Sequence, residues 1–452
     1  MTAMKRLVTL FAMACLFLAL PARAQSILRD AETEALLNDM SRPLVEKAGL
    51  DPRNFQVVLI NDPSINAFVA GGQAVYIHTG LLDKAESANE VQGVIAHEIG
   101  HIIGGHVPLR DRGSGPATGI SILSLVLGIA AMAAGAGEAG AGILAAGQQA
   151  AMGSYLAFSR TQESSADAAG ARLLRDSNIT GKGFLSFFKK LQNTEYRLAI
   201  PQENSYNRTH PLSGERIANL TADVEASPAF SRPLNADLER RFKLVQAKLR
   251  GYVNDPQDTL RAYPTSNTSE IADYARAYAW HKSGYPDQAR DATMALVRAE
   301  PNNPYFLELE GQILLESGKP RDAIAPLRRA VQLTNGQPLI ATTLGHALIA
   351  TEDKEQLDEA ERVLRAAVNR DRENPFAWFQ LGTVYERKGD RARTALATAE
   401  RALMMGEPGL AMASGQTALG LLPQGSGEWL RAQDIVMVAQ NALSEQRGRR
   451  RN

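Results

Sequence analysis

A run from Val94 to His106, VIAHEIGHIIGGH, limits the folds open to this chain more than any other stretch. Val94, Ile95, Ile99, Ile102 and Ile103 suit a buried helix, and His97, Glu98 and His101 sit inside that apolar run. Residues four apart share one face of a helix, so both imidazoles can reach a single ion while Glu98 lies beside them. Zinc takes nitrogen and oxygen donors in a tetrahedron, and a catalytic zinc uses three protein ligands plus a water whose pKa falls to about 7. The His-Glu-x-x-His pattern therefore predicts one Zn2+ per chain, held in part by His97 and His101, with Glu98 taking the proton from that water. A third ligand must then come from elsewhere in the fold.

Gly104 fits the extended His-x-x-Gly-x-x-His template, but Val107 stands where its last histidine belongs and the histidine present is His106. One residue of slip turns a helical side chain by about 100°, so His106 does not take that place. Glu163 is the better candidate. It lies in SRTQESSADAAGARLL, a second helical stretch with Asp167 four residues on and on the same face. Glu163 is expected to bind the metal while Asp167 holds a ligand imidazole by its other nitrogen.

HEIGH with ESSAD, NAFVAGGQAVYIHTGLL upstream and RTHPLSGERI downstream resembles the gluzincin proteases related to HtpX and the CAAX-prenyl proteases. With an export signal and a repeat tail, the resemblance is to their periplasmic BepA type, and it is specific from about Arg29 to His210. It implies that His210 faces the metal, either as a fourth contact in a closed state or as a stabiliser of the oxyanion. It implies too that the strand near Asn66 to Ala70 lines the cleft, where an extended substrate adds a strand. Substrates would be unfolded or misassembled outer-membrane proteins, and the repeats would dock on the barrel-assembly machinery. The fold would also help assembly without cutting, and a mainly non-proteolytic repeat chaperone or adaptor is the rival reading.

Residues 1–24 read as a cleavable secretory signal, with Lys5 and Arg6 before an apolar core and Ala22-Arg23-Ala24 at the cut, which predicts an exported chain, in the periplasm as the resemblance implies. The one cysteine, Cys15, lies inside that segment, so the mature chain uses no disulfides. Losing Lys5, Arg6 and Arg23 leaves the mature chain slightly acidic, and no nucleic-acid footprint follows. With 452 residues, 44% of them hydrophobic, two or three domains are expected.

Ile27 to Ala48 reads as helix, Phe55 to Ile60 as a buried strand, and Asn66–Ala70 with Gln73–Ile77 as a hairpin around Gly71-Gly72. His78 follows it and reads as structural. The Gly/Ala-rich segment 118–152 holds an uncharged run, Gly119 to Ala136, read as a helical lid over the active site, with peripheral membrane contact and a true span as lesser readings. Asp255-Pro256 through Thr268 reads as a linker. Beyond it Ala277, Gly311, Gly345 and Gly382 recur at intervals of 34, 34 and 37, the period of tetratricopeptide repeats, which bind extended peptides or partner proteins in a concave groove. The chain is thus expected to be α+β, mostly α: a gluzincin metalloprotease domain with a small β-sheet over 25–262, an all-α tetratricopeptide-repeat solenoid over 269–443, and a basic tail at 444–452.

Overall fold

The computed structural model describes residues 26–106, 123–124, 137–198, 210 and 213–449. The expected signal segment with Cys15, all of the run Gly119 to Ala136 except Leu123 and Ser124, and residues 207–209 and 450–452 lie outside the described residues. Contacts divide the chain into two compact units: Met1–Leu28 with Leu37–Glu239, and Arg29–Leu36 with Arg240–Asn452.

The first unit holds a four-stranded sheet in the order β1-β2-β4-β3, formed by β1 (Ser26–Ile27), β2 (Gln56–Asn61), β3 (Ala67–Ala70) and β4 (Ala74–His78). β2 and β4 run parallel, whereas β3 and β4 form the expected hairpin, with Ala70 opposite Ala74. Gly71 and Gly72 turn it at φ of 62° and 99°, a conformation that side chains bearing a Cβ disfavour. β3 is left at the edge of the sheet. The expected helix from Ile27 begins later, at Ala31, and α1 spans Ala31–Lys47. Asp30 sets its start by accepting bonds from the Thr33 amide and hydroxyl, and the residues before it pair with β2 instead.

The helix that carries the HEIGH run, α2 (Ala88–Ile103), is buried from Ala88 to His101. Ser87 caps it, its hydroxyl accepting from the Glu90 amide. The partners of α2 are α3 (Gly137–Asp176) and α4 (Lys182–Leu198). Two glycines set how close they come. A Cβ on Gly93 would lie 2.6 Å from the Phe184 backbone, and one on Gly100 would lie 2.6 Å from the Ala166 carbonyl oxygen. Gly100 therefore lets α2 and α3 approach within reach of a shared ion. The C-terminal part of the 118–152 segment and the ESSAD residues are one helix of 40 residues, α3. Among the described residues no helix is long and apolar enough to cross a membrane.

The second unit is a stack of helix pairs. Its first helices, Glu270–Lys282, Pro304–Glu316, Pro338–Ala350 and Pro375–Arg387, each pair with the one that follows: Pro286–Ala299, Pro320–Leu333, Leu357–Arg370 and Arg391–Met404. Small residues allow the crossings, since a Cβ on Gly311 would fall 2.4 Å from Leu327 and one on Gly345 would fall 2.5 Å from Leu364. The three extra residues of the longer interval form a short 3-10 turn, Lys354–Gln356. Pro408–Leu421 and Gly427–Arg449 close the stack. Part of the expected linker is helical: Asp255 caps Pro256–Ala262 through the Gln257 amide, with proline at the first turn.

Residues 29–36 join this second unit through buried charge. Lys248 Nζ lies 2.5 Å from Asp30 and 3.4 Å from Glu32, and the Tyr274 hydroxyl donates to Glu32 at 2.7 Å. Burial pushes the Glu32 carboxyl up, while Lys248 counters it.

Candidate metal centre and active site

α2 and α3 cross so that His97, Glu98 and His101 face Glu163 and Asp167, and His210 arrives just ahead of a helix at Gly214–Glu225. One ligand atom from each of His97, His101, Glu163 and His210 lies within 4.8 Å of the others. His97 Nε2 is 3.1 Å from His101 Nε2 and 3.3 Å from Glu163, and His210 Nδ1 is 3.1 Å from Glu163. All six residues singled out from the sequence, Glu98 and Asp167 included, are buried in this one place.

Each ligand atom is aimed by what holds the rest of its side chain. Nδ1 of His97 lies 2.9 Å from Asp167 Oδ1, which turns Nε2 toward Glu163. Asp167 in turn accepts two bonds from Arg216, from Nε at 2.7 Å and Nη2 at 2.8 Å, and Arg216 Nη1 lies 3.3 Å from Glu163. One guanidinium thus bridges both carboxylates, in the fork geometry that arginine favours. The Phe184 and Phe188 rings wall the His97 imidazole at 6.1 and 5.7 Å, and the Arg216 guanidinium sits over the Phe188 ring. Sequence reading left Arg216 without a role. Its only signal was a place in the first turn of a helix, after a serine cap and close behind His210.

The charges follow from these contacts. Burial opposes ionisation of Glu163, but His210, His101 and His97 hold its carboxyl well below the usual range. Asp167 is also held low against burial, by His97 and Arg216. For His97 burial favours the neutral ring, yet hydrogen bonds to Asp167 and Glu163 raise its pKa to about 9. A metal ion binding there has that proton to displace.

Glu98 differs from its neighbours. It is fully buried, and among the described residues neither carboxylate oxygen finds a hydrogen-bond donor; His210 Nε2 stands 3.6 Å from Oε1. A buried carboxylate is costly unless something satisfies it. Two imidazoles and a carboxylate converging beside such a group match the donors and open position of a catalytic zinc. His210 Nε2 also meets the Ala67 carbonyl at 3.2 Å, which ties the site to the edge strand β3. His78 lies apart from the ligand cluster and bonds the Ser64 hydroxyl at 2.9 Å, consistent with a structural histidine.

Fold and site together define a metallopeptidase domain built on two helices and a small sheet, followed by helical repeats. Residues 29–224, under half of the chain, match the model of peptidase family M48, and with the site they make the chain a metalloendopeptidase. The chain is 27% identical over 414 residues to the Beta-barrel assembly-enhancing protease of Escherichia coli (strain K12), covering 88% of this chain and 82% of that protein. The protein of the same name from Yersinia pestis is 25% identical over 404 residues, covering 86% of this chain and 80% of the relative. Metalloprotease LoiP of Escherichia coli (strain K12) is 29% identical over 202 residues, covering 44% of this chain and 73% of that one.

Proposed function

We propose that this chain is a periplasmic zinc endopeptidase that cuts misfolded or stalled outer-membrane proteins and aids outer-membrane protein assembly. The observation that carries the reading is the convergence of His97, His101 and Glu163 next to the buried carboxylate of Glu98. The name borne by relatives that share most of its length supports the assembly role.

In this reading His97, His101 and Glu163 hold the zinc. Zinc when bound supplies a Lewis acid that brings water toward a pKa of about 7. Glu98 takes the proton from the attacking water and passes it to the leaving amine. Asp167 holds the His97 ring, and Arg216 holds Asp167 and steadies Glu163. His210 either completes the ligand set in a resting state or swings to donate to the oxyanion of the substrate carbonyl. Strand β3 lies at the edge of the sheet beside the site, so an extended, unfolded segment can add to it as a strand. Such a mode selects for unfolded chains, because a folded barrel has its strands already paired. The repeats supply the surface that docks the assembly machinery, and the lid role is proposed for the segment 118–152.

The experiment is direct. The purified mature chain is incubated with a denatured outer-membrane barrel and with the same barrel folded in detergent. Cleavage confined to the denatured form, lost on chelation and restored by about one equivalent of zinc, is the expected result. Cleavage that survives chelation sinks the reading.

A further inference from the structure

We infer that His106 is a positioning residue for the metal site, accepting a hydrogen bond from His101 Nδ1 and so fixing the tautomer and ring plane that aim His101 Nε2 at its neighbours. The inference rests on the zinc reading above and adds to it a residue outside the ligand set.

The two Nδ1 atoms are 2.8 Å apart, both rings are buried, and they meet edge to face with centroids 4.9 Å apart. Two imidazole nitrogens at that distance bond only when one carries a proton and the other is bare. His101 Nε2 is the atom facing the ligand cluster, 3.1 Å from His97 Nε2 and 3.5 Å from Glu163. To donate a lone pair to a metal that nitrogen must be bare, so the proton of a neutral His101 lies on Nδ1. His106 Nδ1 is then the acceptor, and its own proton lies on Nε2. His106 therefore stands behind the ligand rather than among the ligand atoms.

The chain is built to return His106 to this spot. α2 ends at Ile103, and Gly104 caps it with its amide bonded to the Gly100 carbonyl. Gly105 then takes φ 63°, in the left-handed region, which reverses the backbone and lays the next side chain against His101. A Cβ on Gly104 would fall 2.4 Å from His106 Nε2, so a larger residue there would push the ring off its partner. The Gly-Gly-His sequence that does not complete the His-x-x-Gly-x-x-His template serves this turn instead.

The two histidine ligands are therefore held differently. His97 leans on an anion, Asp167, which is anchored by Arg216; His101 leans on a neutral ring. An anionic partner makes an imidazole a stronger donor, and a neutral one orients it while leaving more positive charge on the ion.

The test compares His106→Phe, which keeps a buried ring but removes the acceptor, with His106→Asn, whose amide oxygen can stand near the place of Nδ1. Zinc affinity is read by competition with a chelator of known affinity, and the melting temperature of the metal-free proteins is recorded alongside. His106→Phe should bind zinc about 10- to 100-fold more weakly than wild type at a similar melting temperature, with most of the loss restored in His106→Asn. Should His106→Phe not fold, His106→Leu replaces it in the same comparison. Wild-type affinity in the apolar variant, or an asparagine variant no better than it, overturns the inference. A wild-type chain that takes up no zinc at all overturns the zinc reading itself, and this inference with it.

Discussion

Glu98→Gln is expected to lower kcat for cleavage of a denatured barrel by about a hundred- to ten-thousand-fold while leaving zinc content unchanged. The amide occupies nearly the same volume as the carboxylate but cannot take a proton at neutral pH. Glu98 is outside the group of converging ligand atoms, so the ion has no reason to leave. Its environment makes the effect clean, because the side chain is fully buried and, among the described residues, forms no hydrogen bond whose loss would disturb the fold. The check is a cleavage time course beside a metal assay on the same preparation. Undiminished cleavage would remove Glu98 from the chemistry. The same variant separates protease from adaptor: if it restores outer-membrane integrity in cells as well as wild type, the non-cutting role is the main one.

Arg216→Ala is expected to have the largest effect on stability among site residues that are neither ligand nor base. Arg216 is buried and is the cation that meets both Asp167 and Glu163. Removing one partner of a buried ion pair costs about 3–5 kcal/mol, since the remaining charge is left without compensation. The loss should show as a lower urea midpoint in the metal-free protein. Zinc affinity should fall as well, by about 10- to 100-fold, because Asp167 loses the group that holds it against His97. Arg216→Lys should recover only part of each, as an ammonium cannot reproduce the two-pronged contact. A variant that unfolds like wild type and keeps its zinc would show that Arg216 is incidental.

The parts of this fold legible in the sequence are those in which near neighbours decide the outcome. HEIGH and ESSAD could be placed on helices because four-residue spacing fixes a shared face, and the hairpin followed from Gly71-Gly72 between alternating residues. The repeats announced themselves by period. What escaped was long-range partnership. Nothing local says that Asp30 and Glu32 pair with Lys248, more than two hundred residues on, or that the charge on Arg216 belongs to Asp167. The helix at Pro256–Ala262 was readable in principle, since Asp-Pro is both a turn signal and a cap followed by a first-turn proline. His106, read as no ligand, stays outside the converging ligand atoms; its contact with His101 was not legible because the helix stops at Ile103 before Gly105 reverses the chain.

The claim that two imidazoles of one helix and a carboxylate of another share a single ion is tested most directly by zinc stoichiometry in wild type and Glu163→Gln, measured after dialysis against a weak chelator. The account predicts about one zinc per wild-type chain and little or none in the variant, with the circular dichroism of the two proteins alike. Equal zinc in both proteins would contradict it, because Glu163 could not then be the third ligand.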